Sequence, residues 1–137
     1  DGRKMSKSYG NAIYFFAEEK ELKKSVMSIV TDSMGVNDPK DPETSVLYQI
    51  YSLFLDEAGR TSLQDRFRTP GTGYGDIKKE LLARILEHFG PYRKRRAELL
   101  AKPDDVRDIL RMGAAKARMA GAPLLEKARK ATGLGYR

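Results

Sequence analysis

Apolar residues recur at helical spacing along most of the chain. Leu22, Val26 and Ile29 lie three or four residues apart behind an acidic first turn, which predicts an amphipathic helix over residues 18–30. Glycine, asparagine and proline are frequent in residues 32–41 and interrupt this pattern, so we expect a break there. Only isolated residues favour strands. The pattern therefore predicts an all-α fold.

The middle of the chain is predicted to form two further helices. Asp41 followed by Pro42 is typical of a helix start, and the broad apolar run behind it predicts a buried helix that ends at Gly59. Thr61 and Gln64 have the spacing of a capping box, which predicts the start of a short third helix.

Two long helices are predicted for the second half of the chain. A glycine-rich turn precedes the first, over residues 76–101, and Pro91 is expected to kink or restart it. Pro103 predicts the start of the last helix, which should bend at Pro123 and stop at Gly133. The apolar stripe expected to bury the last helix comprises Val106, Ile109, Leu110, Gly113, Ala117, Ala120 and Leu124. We predict an antiparallel helical bundle of about five helices with a flexible N-terminal loop.

The net charge of +7 is concentrated in the second half of the chain. Residues 1–70 contain ten Lys and Arg against eleven Asp and Glu, whereas residues 71–137 contain sixteen against eight. This asymmetry indicates a polyanionic partner, because Lys and Arg side chains that neutralise phosphates release condensed counterions. The alternative is a solvated helical surface, since basic helices are common.

The composition excludes several kinds of site. The chain has no cysteine, so disulfide bonds and cysteine-based metal sites are excluded, and we predict no metal site elsewhere. No apolar run approaches the roughly 20 residues that a membrane span needs, so no membrane partner is expected. The first residue is Asp1 instead of methionine, from which we expect an excised fragment of a longer protein.

Residues 4–8, here called the signature loop, carry the sharpest chemical signal. Lys4 and Lys7 place two ammonium groups three residues apart, and Ser6 and Ser8 add hydroxyl donors. Such groups can approach one phosphate chain together. If pyrophosphate is the leaving group, lysines that approach its developing charge in the transition state raise the rate. The alternative is a disordered basic tail.

The signature loop matches, letter for letter, the KMSKS signature of class I aminoacyl-tRNA synthetases. Residues 27–33 and 73–79 resemble two segments of tryptophanyl-tRNA synthetases: the one after the signature and the glycine-tyrosine-glycine turn before a long C-terminal helix. Residues 112–118 and 131–134 are similar to the last helix of that family. The resemblance covers nearly the whole chain in order. Tyrosyl-tRNA synthetases, which usually carry a different signature-loop sequence, match less well.

This resemblance implies an ATP-binding loop at residues 1–12 and a C-terminal helical domain for tRNA and its anticodon at residues 13–137. Lys7 is expected to contact the ATP phosphates with the assistance of Lys4, so these are the candidate catalytic residues. The candidate ATP-binding residues are Lys4, Met5, Ser6, Lys7 and Ser8. The family's HIGH motif, Rossmann core and tryptophan pocket would lie upstream of Asp1, so the isolated chain is expected to be inactive.

The resemblance also implies substrates and partners. ATP, as its magnesium complex, and tryptophan are the expected substrates of the full enzyme, and tRNA(Trp) is its expected nucleic-acid partner. The family implies a cytoplasmic homodimer assembled mainly through parts outside this chain, so we expect the fragment itself to be monomeric.

Basic residues recur along one face of each long helix, at steps of four and seven. The six candidate tRNA contacts are Arg84, His88, Arg95, Arg107, Arg111 and Arg118. As tRNA contacts they would grip the phosphate backbone and read splayed anticodon bases. As a solvated polar face they would instead pair with carboxylates on the same helix.

Three hypotheses follow. The first is a part of tryptophan–tRNA ligase that supplies the signature lysines and tRNA-binding helices. The second is a stand-alone basic helical module that binds RNA or DNA. The third is a structural bundle whose basic surface serves solubility. Charge alone does not separate them, and the resemblance favours the first.

Overall fold

The computed structural model describes residues 1–134. It confirms the all-α prediction, and no strand occurs in that part of the chain. A 3-10 turn at Lys7–Tyr9 comes first. The α-helices that follow it in the described residues are α1 (Glu19–Met27), α2 (Val46–Ser52), α3 (Glu57–Arg68), α4 (Tyr74–Leu100) and α5 (Pro103–Thr132).

The chain divides into two compact units. The first unit is Asp1–Arg93 and the second is Lys94–Arg137. The boundary predicted after residue 12 lies inside the first unit. Residues 135–137, the end of the predicted helical domain, lie outside the described residues.

The helix α1 forms where the apolar spacing predicts it. Glu19 and Glu21 occupy its first turn, where the free backbone N–H groups favour negative charge. Leu22 and Val26, one turn apart, are fully buried. The helix therefore fixes the chain to the core soon after the signature loop.

The core of the first unit combines side chains from α1, α2, α3 and the first part of α4. Phe67 is fully buried, with the rings of Tyr48 and Tyr74 packed edge-on at centroid distances of 5.6 and 6.2 Å. The buried apolar residues are Leu22, Val26, Ile29, Leu47, Tyr51, Leu63, Phe67, Ile77, Leu81 and Ile85. Within residues 1–134, all of the buried apolar side chains therefore belong to the first unit.

The second helix begins later than predicted. The Asp41 carboxylate accepts bonds from the Glu43 backbone N–H at 3.0 Å and from the Thr44 hydroxyl at 2.8 Å. These bonds hold residues 41–44 in a turn, because a short acidic side chain competes with the helix for backbone donors. α2 starts directly after Ser45, whose hydroxyl accepts the Tyr48 N–H at 3.3 Å. The predicted start at Asp41 was wrong.

The third helix begins earlier than predicted. Asp56 caps α3, and its carboxylate accepts the Gly59 N–H at 2.8 Å. Gly59 therefore lies in the first turn of α3 and does not end the preceding helix. Thr61, the predicted cap, lies inside α3 and donates its hydroxyl to the Glu57 carbonyl at 3.1 Å. The aspartate forms the cap because its carboxylate satisfies a free N–H of the first turn.

Two lysines in the first unit are buried, and backbone carbonyls accept their bonds. Lys40 is 3% exposed, donates to two carbonyls of the loop before it at 2.8 and 3.0 Å, and lies 5.3 Å from the Tyr74 ring centre. Lys78 donates to the Met27 carbonyl at the end of α1 at 3.1 Å. Burial lowers the pKa of Lys78. These two side chains hold the loop at 31–41 and the end of α1 in place.

Neither internal proline ends its helix. α4 continues through Pro91, and α5 continues through Pro123. α5 starts with Pro103 in its first turn and stops at Gly133, as predicted. Gly133 adopts a left-handed conformation with φ 68°, which glycine accommodates without a steric penalty.

The prediction that α5 buries an apolar stripe was wrong. No described residue of α5 is buried, and Ile109, Leu110 and Leu124 are 56%, 65% and 71% exposed. Helical spacing identifies an apolar face but does not determine whether another element of the chain covers it. None of the helices in residues 1–134 is both long and apolar enough to cross a bilayer.

Candidate functional site

The signature loop presents its two lysines to solvent. Lys4 and Lys7 are exposed, and neither forms an ion pair within residues 1–134. The Ser6 and Ser8 hydroxyls share a hydrogen bond of 2.8 Å, and the Lys7–Tyr9 turn closes on Gly10 with φ 65°. Both ammonium groups are therefore available to an anionic ligand.

Asn11 closes the base of the signature loop. Its side-chain oxygen accepts the Ser6 N–H at 2.8 Å, and its amide nitrogen donates to the Asp1 carboxylate at 3.0 Å. Arg3 pairs with the same carboxylate at 2.8 Å and lies 4.7 Å from the Tyr9 ring centre. These contacts fix the loop's base and leave the lysines free.

A cavity of about 240 Å³ lies beside the loop. Its lining includes Met5 of the loop and Tyr9 directly after it, together with Ser25, Ile29 and Ile50. Lys4 and Lys7 are not among its lining residues. The lysines and the cavity are therefore separate features of the first unit.

Arg84 and His88 belong to the first unit. The Arg84 guanidinium pairs with Glu87 at 3.0 Å, which raises the pKa of Arg84. The His88 ring packs edge-on against Phe54 and Phe89, at centroid distances of 5.9 and 4.9 Å. The structure therefore gives His88 aromatic neighbours, although the residue itself stays exposed.

The other four candidate tRNA contacts belong to the second unit. Three of them form ion pairs with a carboxylate three residues away: Arg95 with Glu98 at 3.0 Å, Arg107 with Asp104 at 2.6 Å, and Arg111 with Asp108 at 3.2 Å. Arg118 forms no ion pair in the described part of the chain. Exposed pairs of this kind contribute roughly 0–1 kcal/mol, so a phosphate can replace the carboxylate at little cost.

Comparison with known proteins decides the family. The sequence model of one family, described as tRNA synthetases class I (W and Y), matches residues 1–90. The chain belongs to this family of class I tRNA synthetases. The match ends close to residue 93, where the first compact unit ends.

Curated relatives of this class I synthetase chain are tryptophan–tRNA ligases. The ligase of Rhodopirellula baltica is 45% identical over 134 residues, which are 98% of this chain and 42% of the relative. The ligase of Fusobacterium nucleatum is 46% identical over 134 residues, 98% of this chain and 41% of the relative. The chain thus spans about two fifths of the length of these relatives.

Solved structures give the same result. Tryptophanyl-tRNA synthetase from Campylobacter jejuni, complexed with ADP and tryptophan, superposes with a TM-score of 0.92 at 44% identity. The match covers 97% of this chain and 42% of that one. A second structure of the Campylobacter jejuni enzyme gives a TM-score of 0.88 at the same identity. The resemblance to tryptophanyl-tRNA synthetases is confirmed.

Two residues that hold the loop region of this class I synthetase were not predicted. Asn11 lies three residues after the signature loop, and its side-chain bond back to Ser6 depends on a turn that spacing alone does not define. Arg93 belongs to a basic run on α4, yet its guanidinium donates to the Ala17 carbonyl at 2.8 Å, far along the sequence. The charge pattern of a sequence assigns such a residue to the surface, because the pattern contains no information on which distant carbonyls the side chain meets after folding.

Proposed function

We propose that the chain is the part of a tryptophan–tRNA ligase that grips the ATP phosphates and binds tRNA(Trp). The observation that carries this proposal is the signature loop, in which Lys4 and Lys7 are both exposed and free of carboxylate partners in residues 1–134. The Campylobacter jejuni relative, named as a complex with ADP and tryptophan, supports ATP and tryptophan as substrates.

The chemistry of adenylate formation indicates the role of the two lysines. A carboxylate oxygen of tryptophan attacks the α-phosphorus of ATP, and the bond to the leaving pyrophosphate breaks. Negative charge increases on that pyrophosphate in the transition state, and ammonium groups that meet it there stabilise the transition state more than bound ATP. Ser6 and Ser8, which share a hydrogen bond, shape the turn and offer further donors. Magnesium enters with ATP as part of the substrate.

The parts of the ligase that hold tryptophan and the nucleotide base would come from outside this chain. We therefore infer that residues 1–137 alone form no tryptophanyl-adenylate. The same proposal includes a homodimeric full enzyme, a monomeric isolated chain and a cytoplasmic location.

A chimera tests the proposal directly. The part of the Campylobacter jejuni ligase that matches this chain is replaced by residues 1–137, and ATP–pyrophosphate exchange and aminoacylation of tRNA(Trp) are measured. The chimera is expected to be active, and Lys7→Ala is expected to lower kcat about 100-fold. Lys23→Ala, an exposed lysine on α1, serves as the matched control and should leave kcat unchanged. An inactive but folded chimera would contradict the proposal.

The second unit supports a role in tRNA binding. Its exposed cations without an ion pair in the described residues include Lys94, Lys116, Arg118, Lys127 and Arg129. The same unit would serve the alternative function, a stand-alone basic module that binds RNA without preference. Both functions require affinity that declines with salt, so the choice between them depends on which RNA is preferred.

RNA preference separates the two functions, and charge reversal tests the face of α5. Changing Arg107, Arg111 and Arg118 together to Glu should weaken tRNA(Trp) binding. The slope of the logarithm of the binding constant against the logarithm of salt concentration should fall by the equivalent of about two to three phosphate contacts. The same reversal at Lys20, Lys23 and Lys24 of α1 is the control. Equal affinity of the parent chain for tRNA(Trp) and for an unrelated duplex would favour the stand-alone module, and unchanged binding after reversal would exclude this face of α5.

A further inference from the structure

The segment between the signature loop and α1 is held against α4 by aromatic packing. The Phe15 ring stacks on Phe89 with centroids 4.2 Å apart and an interplanar angle of 13°. The ring of Phe54 meets Phe15 edge-on at 6.4 Å, and Phe16 also packs edge-on against Phe89 at 6.3 Å. Aromatic pairs of this kind add to the free energy gained from burying apolar surface.

Arg93 adds a polar anchor at the same place. Its Nη1 group donates to the carbonyls of both Phe15 and Ala17, the latter at 2.8 Å. Both bonds are partly buried, and the guanidinium forms no ion pair with a carboxylate in residues 1–134. One cation therefore fixes residues 15–17, immediately before α1, with bonds that its charge strengthens.

We propose that Arg93 is a positioning residue for the signature loop. The loop is closed at its base by Asn11, and the segment that leaves it is fixed on α4 by Arg93. Lys4 and Lys7 make no ion pair of their own in the described residues, so their position depends on these anchors. Small displacements of a catalytic group lower the rate strongly, so the anchor affects the rate through the position of the lysines. This inference rests on the proposed function.

The proposal is tested first in the full-length ligase by a double-mutant cycle. Arg93→Met keeps an unbranched side chain and removes both bonds, and it should lower kcat for ATP–pyrophosphate exchange about tenfold. In a Lys7→Ala background the same change should cost less than about twofold, because Arg93 acts through that lysine. Arg93→Lys, which keeps a cationic donor, should recover most of the loss. Equal losses in both backgrounds would show a merely structural role and overturn the proposal.

A matched control lies one turn along the same helix. Arg96 is exposed and makes no ion pair within residues 1–134, so Arg96→Met should leave kcat within about twofold of the parent. A loss as large as that of Arg93→Met would show that charge on α4, and not the anchor, matters.

Hydrogen exchange on residues 1–137 tests the anchor without catalysis. Arg93→Met should speed exchange of the backbone amides in residues 4–18 about tenfold, whereas Arg96→Met should not. Unchanged exchange in Arg93→Met would overturn the proposal whatever the kinetics show. If the parent ligase catalyses no ATP–pyrophosphate exchange but Arg93→Met speeds amide hydrogen exchange as expected, the proposed function is rejected and the anchor is retained.

Discussion

Glu80 lies where α2, α3 and α4 meet. Its carboxylate accepts two bonds from the Arg66 guanidinium, at 2.7 and 2.9 Å, and the Tyr51 hydroxyl lies 3.5 Å away. The Arg66 bonds hold the pKa of Glu80 below its ordinary value, although burial acts in the opposite direction. The pair is about two-fifths exposed, so solvent screens it and the contribution to stability is modest.

This lowered pKa predicts a pH dependence of stability. A carboxyl group whose pKa is lower in the folded state stabilises the fold above its unfolded pKa, near 4.5, and this stabilisation is lost as pH falls through the folded value. Glu80→Gln should therefore cost roughly 1 kcal/mol at pH 7 and progressively less in acid, measured by urea denaturation. Glu87→Gln, on the exposed pair with Arg84, is the control and should cost less.

Single residues also mark the limit of sequence-based prediction. The signature loop was predictable because five consecutive residues define it without any tertiary contact. Asn11 and Arg93 were not, because their roles depend on which carbonyl or N–H lies within 3 Å after folding. Lys40 was missed for the same reason: a buried lysine is uncommon, and only a loop that turns its carbonyls inward accommodates it.

Among the helices, those with strong boundary residues were predicted best. α5 begins at Pro103 and ends at Gly133, where backbone chemistry leaves few alternatives. The predicted starts of α2 and α3 were wrong because several Asp, Ser and Thr residues compete as caps over residues 41–61, and tertiary packing selects among them. The prediction that α5 buries an apolar stripe was wrong, because spacing does not determine whether another element covers the helix.

The exposure of α5 predicts different responses to leucine truncation. Leu110→Ala should change the free energy of unfolding of this chain by less than about 0.5 kcal/mol, because the side chain is already 65% exposed. Leu81→Ala on α4 should cost about 2–5 kcal/mol, since it leaves a cavity in the core. Chemical denaturation measures both. A large loss for Leu110→Ala would show that α5 is covered in solution.

At the scale of the whole molecule, the two compact units differ in kind. The first unit contains all buried apolar residues of the described chain and coincides closely with the family match at residues 1–90. The second unit contains most of the exposed cations that the charge asymmetry predicted. The all-α class was predictable from periodicity, whereas the division at residue 93 was not, because it falls within a continuous helix.

This difference predicts that the first unit folds without the second. A chain ending at residue 93 should unfold cooperatively, with a midpoint within a few degrees of residues 1–134, because it loses no buried apolar side chain. Circular dichroism during heating gives the midpoint, and Phe67→Ala in the shortened chain provides a destabilised reference. A shortened chain without a cooperative transition would show that the second unit supports the core.

The burial of the Lys40 amine has a consequence for chemical labelling. Acylating reagents modify lysines whose amines reach water, and this amine is enclosed by carbonyls and by the Tyr74 ring. In the native chain it should be the slowest amine to react, well behind Lys4 and Lys7, and denaturation should abolish the difference. Mass spectrometry of labelled peptides would thus report, from one protected amine, whether the 31–41 loop is closed.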